Sequence, residues 1–351
     1  MDVSRLPYLL LAFAATAAAQ STWKFAVSGD SRNCGDLVMP AIASGVKASA
    51  SEFYWHLGDL RAIYTFDEDM VPPGTKPPNI IDYEIGAWPD FIAHQIGPFG
   101  TLPFYLVPGN HETIPPATRN QYLEQFADWL VTPALQAQRL KDDPKDHKLH
   151  AYYHWIRHGI DFITLDNASH DQFDDAQMKW FHSVLDRAGK SSAVRTVVVG
   201  MHAALPGSVG TDHSMSDWPL GEKSGRDVYE ALWRVQSEAH KHVYVLASHS
   251  HFYLEDVYDT PVWQGKVLPG WIVGTAGAVR YPLPKGVTPG PKARPNVYGY
   301  LLGTALADGS VSFAFQQLSE MDLLHANPGP EKEKLVHWCY TENIQKEPPP
   351  K

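Results

Sequence analysis

Five apolar runs in this 351-residue chain end on side chains able to hold a cation. "WKFAVSGD" stops at Asp30, "FYWHLGD" at Asp59, "PFYLVPGNH" at Asn110 and His111, "RTVVVGMH" at His202, and "HVYVLASHSH" at His249 and His251. Carboxylate and amide oxygens and imidazole nitrogens are all ligands for divalent ions. Singly, each has an ordinary explanation, because Asp and Asn form turns and caps and a lone histidine is usually a satisfied core or surface residue. Turn chemistry does not explain why five runs end alike. Strand ends in α/β sheets open onto the crevice where ligands bind, so residues far apart in sequence converge there. A carboxylate bridges two cations through its two oxygens, and Asp59 suits that place. His249 and His251, two apart in an extended segment, would point the same way and reach one ion each of a pair about 3.5–4 Å apart.

Such side chains need strands to carry them and turns to aim them. Alternation and β-branched content predict strands over 23–29, 53–58, 103–109, 161–167, 195–202, 242–248 and 270–275, with helices near 84–96, 119–130, 174–188 and 226–240. Residues 298–318 read as a hairpin around Asp308-Gly309. Strand-helix alternation followed by a hairpin implies an α/β architecture with mixed sheets. Pro/Gly-rich loops fall at 71–79, 203–224 and 281–296, and a charged tail begins near Asn327. Gly29, Gly58 and Gly109 precede three of the candidate ligands and permit tight turns with close backbone approach.

Gly-Asp at 29–30, Gly-Asp at 58–59, Gly-Asn-His-Glu at 109–112, Gly-x-His at 200–202 and His-x-His at 249–251, in that order, resemble the calcineurin-like metallophosphoesterases, which include the purple acid phosphatases. The resemblance implies a two-sheet β-sandwich flanked by helices, a four-layer αββα fold reaching the hairpin near 318. It also implies two di- or trivalent metal ions, for which the mixed donors suit Mn, Fe or Zn. Asp30 and His251 would bind the first, Asp59 would bridge, and Asn110, His202 and His249 would bind the second. His111 would stand beside the phosphate or the leaving group as a protonated imidazole, the catalytic residue of the set.

The chain departs from that pattern at the first motif. Asp30-Ser31-Arg32 replaces Asp-x-His, and where purple acid phosphatases place a tyrosine three residues after the bridging aspartate, this chain has Ala62, with Tyr64 two residues further on. The first cation therefore has an open shell or is bound weakly. Arg32 stays protonated and is no ligand; it clamps a phosphate oxygen, or else pairs with a neighbour such as Asp36. His56 lies inside a strand and is given no catalytic role. His213 reads as an exposed loop histidine before a substrate contact, and the acids of 67–70 and 171–175 as solvated loop or helix-start residues.

The first 19 residues, one arginine and an apolar run ending Ala17-Ala18-Ala19, read as a cleaved signal peptide, leaving no stable membrane span and placing the protein outside the cell or in the periplasm. A phosphoesterase domain then occupies 20–320 and a tail 321–351. Cys34 and Cys339 form one bridge or remain two buried thiols. A net charge of -10 without a basic run argues against a bulk nucleic-acid-binding surface; the resemblance implies a small phosphate ester as the partner. "HETIP" opens like a zinc-protease helix, but Pro115 stands where the second histidine would be. The expected activity is phosphate-ester hydrolysis, by phosphatase or phosphodiesterase chemistry, through a metal-bound hydroxide. The alternative is a degenerate single-metal module that binds phosphate or a partner without turnover.

Overall fold

A computed structural model describes residues 22–168, 172–210 and 213–345; the expected signal peptide lies outside the described residues. In chain order the strands are β1 (Trp23–Ser28), β2 (Tyr54–His56), β3 (Phe104–Leu106), β4 (Tyr153–Arg157), β5 (Ile160–Thr164), β6 (Thr196–Gly200), β7 (His242–Ala247), β8 (Tyr253–Glu255), β9 (Gly270–Val273), β10 (Ala293–Arg294), β11 (Tyr298–Ala305) and β12 (Val311–Leu318). The helices are α1 (Gly35–Ala48), α2 (Ile80–Phe91), α3 (Arg119–Gln125), α4 (Ala127–Leu130), α5 (Pro133–Asp142), α6 (Asp175–Lys190), α7 (Pro219–Ser237), α8 (Glu320–Ala326) and α9 (Pro330–Thr341).

Two mixed sheets result, ordered β12-β11-β1-β2-β3 and β10-β8-β9-β7-β6-β5-β4. β1, β2 and β3 run parallel in one, and β5, β6, β7 and β9 run parallel in the other. The alternation of side chains along a strand explains how the layers meet. On β6, Val198 joins the core shared by both sheets, while Val197 and Val199 join a second core with α6 and α7. A strand buried on both faces reads as an unbroken apolar run, which is why "TVVVG" carries no alternation. Between the sheets the filling is aromatic: Phe25, Phe53 and Phe162 pack with centroids 5.0–5.3 Å apart, and Trp55 meets Trp155 at 5.3 Å. On the other sheet, Leu37, Val38 and Ile42 of α1 bury against the shared core. This is the α/β sandwich with outer helices that the motifs imply.

Several local expectations shift. The sequence reading assigns no element to 35–48, where Pro40 interrupts an apolar stretch, yet α1 forms with Pro40 inside it. β4 is likewise unanticipated. The charged segment after Asn327 is not a free tail: α9 buries Val336 and Cys339, and Cys339 is disulfide-bonded to Cys34 ahead of α1, so the bridge reading holds and the free-thiol reading does not.

A buried charge cluster lies on the edge strand β4. His154 on β4 directs Nδ1 to Asp161 at 2.7 Å and Nε2 to Asp142. Burial alone would lower its pKa, but the carboxylates of Asp161 and Asp142 outweigh that and raise it to about 9. A folded pKa above the unfolded 6.5 makes its contribution complete below about pH 6.5 and lost as pH rises through 9. Urea unfolding should therefore show stability falling by up to about 3 kcal/mol across that window. His154→Gln should flatten the fall; an unchanged slope would remove His154 as its source.

Candidate metal centre

The carboxyl ends of the parallel strands of both sheets meet at one rim. Backbone bonds tie the loops there: Asp30 N–H donates to Gly58 O at 2.9 Å, and Ser31 N–H to Asp59 O at 3.0 Å. Gly58 has φ +93°, and a Cβ on it would lie 2.5 Å from Gly109 N, so two loops touch backbone to backbone. Glu112, quoted in the third motif but given no role from sequence, fastens them. Its buried carboxylate accepts N–H bonds from Asp59 (3.0 Å), Leu60 (3.0 Å) and Gly109 (2.7 Å).

Into this rim the six expected ligands converge. Donor atoms of Asp30, Asp59, His202 and His249 all lie within 4.8 Å of one another. Asn110 Oδ1 is 3.0 Å from His202 Nε2, and His251 Nε2 is 3.2 Å from Asp30 Oδ1. Backbone carbonyls aim the rings: His202 Nδ1 meets Leu57 O at 2.9 Å and His251 Nδ1 meets Val279 O at 2.7 Å. With Nδ1–H so engaged, each ring turns Nε2 toward the carboxylates, which is how histidine is oriented around a metal.

The donor set fits a cation. Asp30 Oδ1 and Asp59 Oδ2 are buried with no hydrogen-bond partner, an expensive state for ionised oxygens that a metal relieves. Burial works against charge on Asp30, yet His251, His202 and His249 hold its carboxyl well below the usual range. Burial also opposes charge on His202, and Asp59 and Asp30 outweigh it and raise its pKa. On His249, burial and the neighbouring His202 win instead and hold its pKa well below the ordinary value.

Three of the six hold left-handed backbone: Asp30 at φ 59°, Asp59 at 56° and His249 at 65°. Each costs about 1–2 kcal/mol relative to ordinary conformations, and such strain gathers at functional sites. The left-handed turn at His249 also changes why the histidine pair works. Residues 248–252 are a bend between β7 and β8, not the extended segment expected, so the two rings diverge. His249 packs beside His202 with centroids 4.6 Å apart, and His251 stacks on Tyr281 at 4.1 Å. Ser248, unremarked from sequence, sends its hydroxyl to Asp30 Oδ2, and the His249 N–H reaches the same oxygen at 2.7 Å.

The residues expected around the ligands are placed as follows. Arg32 does not pair with Asp36. Its Nε lies 3.8 Å from Asp59 Oδ2 and its Nη2 3.5 Å from His251 Nε2. His111 is buried beside Asp59, its Nδ1–H donating to Ala62 O at 2.7 Å and its Nε2 meeting the Tyr64 hydroxyl at 3.2 Å. Burial pushes its pKa down to about 4 against the pull of Asp59, a direction that favours the neutral ring. His213 is half-buried, its ring 5.1 Å from that of His249. His56 is buried and engages Ser31 Oγ and the Gly58 N–H.

Of the acids in 67–70, Asp67 and the Asp69 side chain are buried and Glu68 is half-buried. Arg61, fully buried two residues after Asp59, donates to Asp69 at 2.9 Å and to Asp36 and Asp90, with Asp67 at 3.8 Å. Asp67 in turn accepts the N–H groups of Asn33 and Ala62. This cage pins the loop that carries Asp59. An arginine in a turn gives no sequence signal that it is buried, and neither do acids whose only mark is proximity in sequence. Asp174 and Asp175 do lie at a helix start, Asp174 capping α6 through the Gln177 N–H.

The sequence model of the calcineurin-like phosphoesterases matches residues 34–253. The chain belongs to that family. No curated protein sequence matches this chain closely enough to count as a relative. Among solved structures it is similar to purple acid phosphatase PPD1 from yellow lupin (Lupinus luteus) seeds, with TM-score 0.53 and 14% identity, over 87% of this chain and 55% of the lupin protein. It thus spans about half the length of that enzyme. A dimetal phosphatase from Danio rerio superposes with TM-score 0.50 at 11% identity, over 84% of this chain and 98% of the other. PhoD gives TM-score 0.50 at 14% identity, over 86% and 72%. At these identities the likeness is one of fold. Among the described residues, no helix is long and apolar enough to cross a membrane.

Proposed function

We propose that this chain hydrolyses small phosphate esters with metal ions held by Asp30, Asp59, Asn110, His202, His249 and His251. The observation that carries the reading is the convergence of Asp30, Asp59, His202 and His249 around two buried carboxylate oxygens that lack partners. Asp59, Asn110, His202 and His249 make one cation position; Asp30 and His251, with Asp59, make the other. The oxygen and nitrogen donors suit Mn, Fe or Zn. When bound, such ions supply a nucleophile from water at neutral pH and screen the phosphoryl oxygens.

The chain's own groups do the rest. Arg32 points its guanidinium into the pocket and offers a forked donor to phosphoryl oxygens. His111 presents Nε2 beside Asp59 Oδ2 at 3.6 Å, where an arriving phosphate dianion favours its charged form and lets it donate to the departing oxygen. The phosphoesterase domain is assigned to residues 20–320; beyond it, α8 buries Leu323 in the core and α9 is tied to the start of α1 by the disulfide. That bridge, together with the expected signal peptide, supports a secreted or periplasmic location.

Purified protein should hydrolyse a nitrophenyl phosphate mono- or diester and lose that turnover on chelation. His111→Ala should lower kcat on an alkyl phosphate by about a hundredfold and on the nitrophenyl ester by less, since nitrophenolate leaves without a proton. Metal-loaded protein that turns over no phosphoester in a panel of mono-, di- and pyrophosphate substrates would favour the alternative, a single-metal binding module.

A further inference from the structure

We propose that the Arg32 guanidinium takes the place of the first cation, so that the resting chain holds one tightly bound metal ion, at Asp59, Asn110, His202 and His249, beside a fixed arginine charge. This rests on the metal-dependent reading above and revises its ion count.

The first position is short of ligands. Ser31 Oγ engages His56 Nε2 at 2.9 Å, Ala62 has no donor atom, and the Tyr64 hydroxyl lies 3.2 Å from His111 Nε2. What remains is Asp30, His251 and a share of Asp59. Arg32 stands among those groups: its Nε is 3.8 Å from Asp59 Oδ2, its Nη2 is 3.5 Å from His251 Nε2, and that nitrogen is 3.2 Å from Asp30 Oδ1. The four-residue convergence within 4.8 Å takes in Asp30 but not His251.

Among the described residues, the one ion pair of Arg32 is to Asp59. Asp36, the acid nearest in sequence, is taken by Arg61 and by Gln95 Nε2 at 3.0 Å. Arg32 Nε is buried without a hydrogen-bond partner while the side chain as a whole is 18% exposed, so the guanidinium is partly buried with its Nε on the inner side. Arginine keeps its proton at any ordinary pH, and a dication placed against it would meet direct repulsion. One dication and one guanidinium already outweigh the two carboxylates of Asp30 and Asp59, leaving the pocket net positive toward a phosphate. The guanidinium fork then meets phosphoryl oxygens from the side where an ion would have stood.

The test is metal stoichiometry. Purified full-length protein is stripped with chelator, loaded with excess Mn²⁺ and desalted, then analysed for bound metal and by EPR. Wild type should retain about one Mn²⁺ with an uncoupled spectrum, and Arg32→His, which restores a ligand, about two with a spin-coupled pair signal. Arg32→Gln, which removes only the charge, should bind a second Mn²⁺ at least about tenfold more tightly than wild type, which guards against failure of the histidine variant to fold. Two tightly held ions in wild type, or no gain in either variant, would overturn the arginine assignment while leaving the phosphoesterase reading in place. No retained Mn²⁺ in wild type, with Asn110→Ala no different, would overturn both.

Discussion

Asp59→Asn should empty the pocket of metal and lower turnover by at least about a thousandfold, the scale on which single electrostatic groups act in active sites. The carboxylate is the point where the site's contacts meet. Its Oδ1 accepts the His111 N–H at 3.1 Å and lies 3.3 Å from His202 Nε2, while Oδ2 faces Arg32 and His111. Replacing one oxygen by an amide nitrogen removes the charge and turns a donor toward whatever cation remains. The fold should survive, because Glu112 holds the backbone N–H groups of Asp59 and Leu60 whatever the side chain. Asparagine also tolerates the left-handed φ of 56° that alanine would strain, so loss in Asp59→Asn reports chemistry and loss in Asp59→Ala reports chemistry plus backbone. Metal analysis and kcat/KM on one sample decide it. Full turnover in the asparagine variant would place the centre elsewhere.

Arg61→Met should cost about 3–5 kcal/mol of stability, the range seen when one partner of a buried ion pair is removed. Arg61 is completely buried, as is Asp67, and the Asp69 side chain is 1% exposed, so neither acid can turn to water. Asp36 and Asp90 keep partial exposure and recover some of the loss. Burial already raises the Asp69 carboxyl well above its ordinary range with Arg61 present to oppose it. Without Arg61 that group folds protonated, so the penalty should shrink as pH falls toward the carboxylate range. Urea denaturation at pH 5 and pH 8 measures both effects; a loss under about 1 kcal/mol at pH 8 would mean the cage relaxes freely. Because the cage pins the loop bearing Asp59, metal affinity should fall by about tenfold as well.

The strands that carry the site were legible because burial imposes a pattern. "WKFAVS", "TVVVG" and "HVYVLA" lie inside a sandwich covered on both faces, and such runs have few other uses in a soluble fold. Helix α1 was not legible, because Pro40 argues locally against a helix that burial of Leu37, Val38 and Ile42 sustains. The six converging residues were legible through one regularity: a donor side chain just past an apolar run is a strand-end residue, and strand ends of parallel sheets share a rim.

The sequence by itself determined the strands that carry the site, which side chains stand at their ends, and the family that follows from their order. Only the tertiary structure decided what those side chains face. That Arg32 turns to Asp59 and His251 and not to Asp36, that Arg61 is sealed in by four aspartates, that burial lowers the pKa of His111, and that Cys34 meets Cys339 all depend on contacts between residues 6 to 305 apart in sequence. The physical reason is range. Periodicity and turn chemistry act over a few residues and leave a mark in the local sequence, whereas charge pairing and desolvation are set by whichever atoms packing brings within a few ångströms.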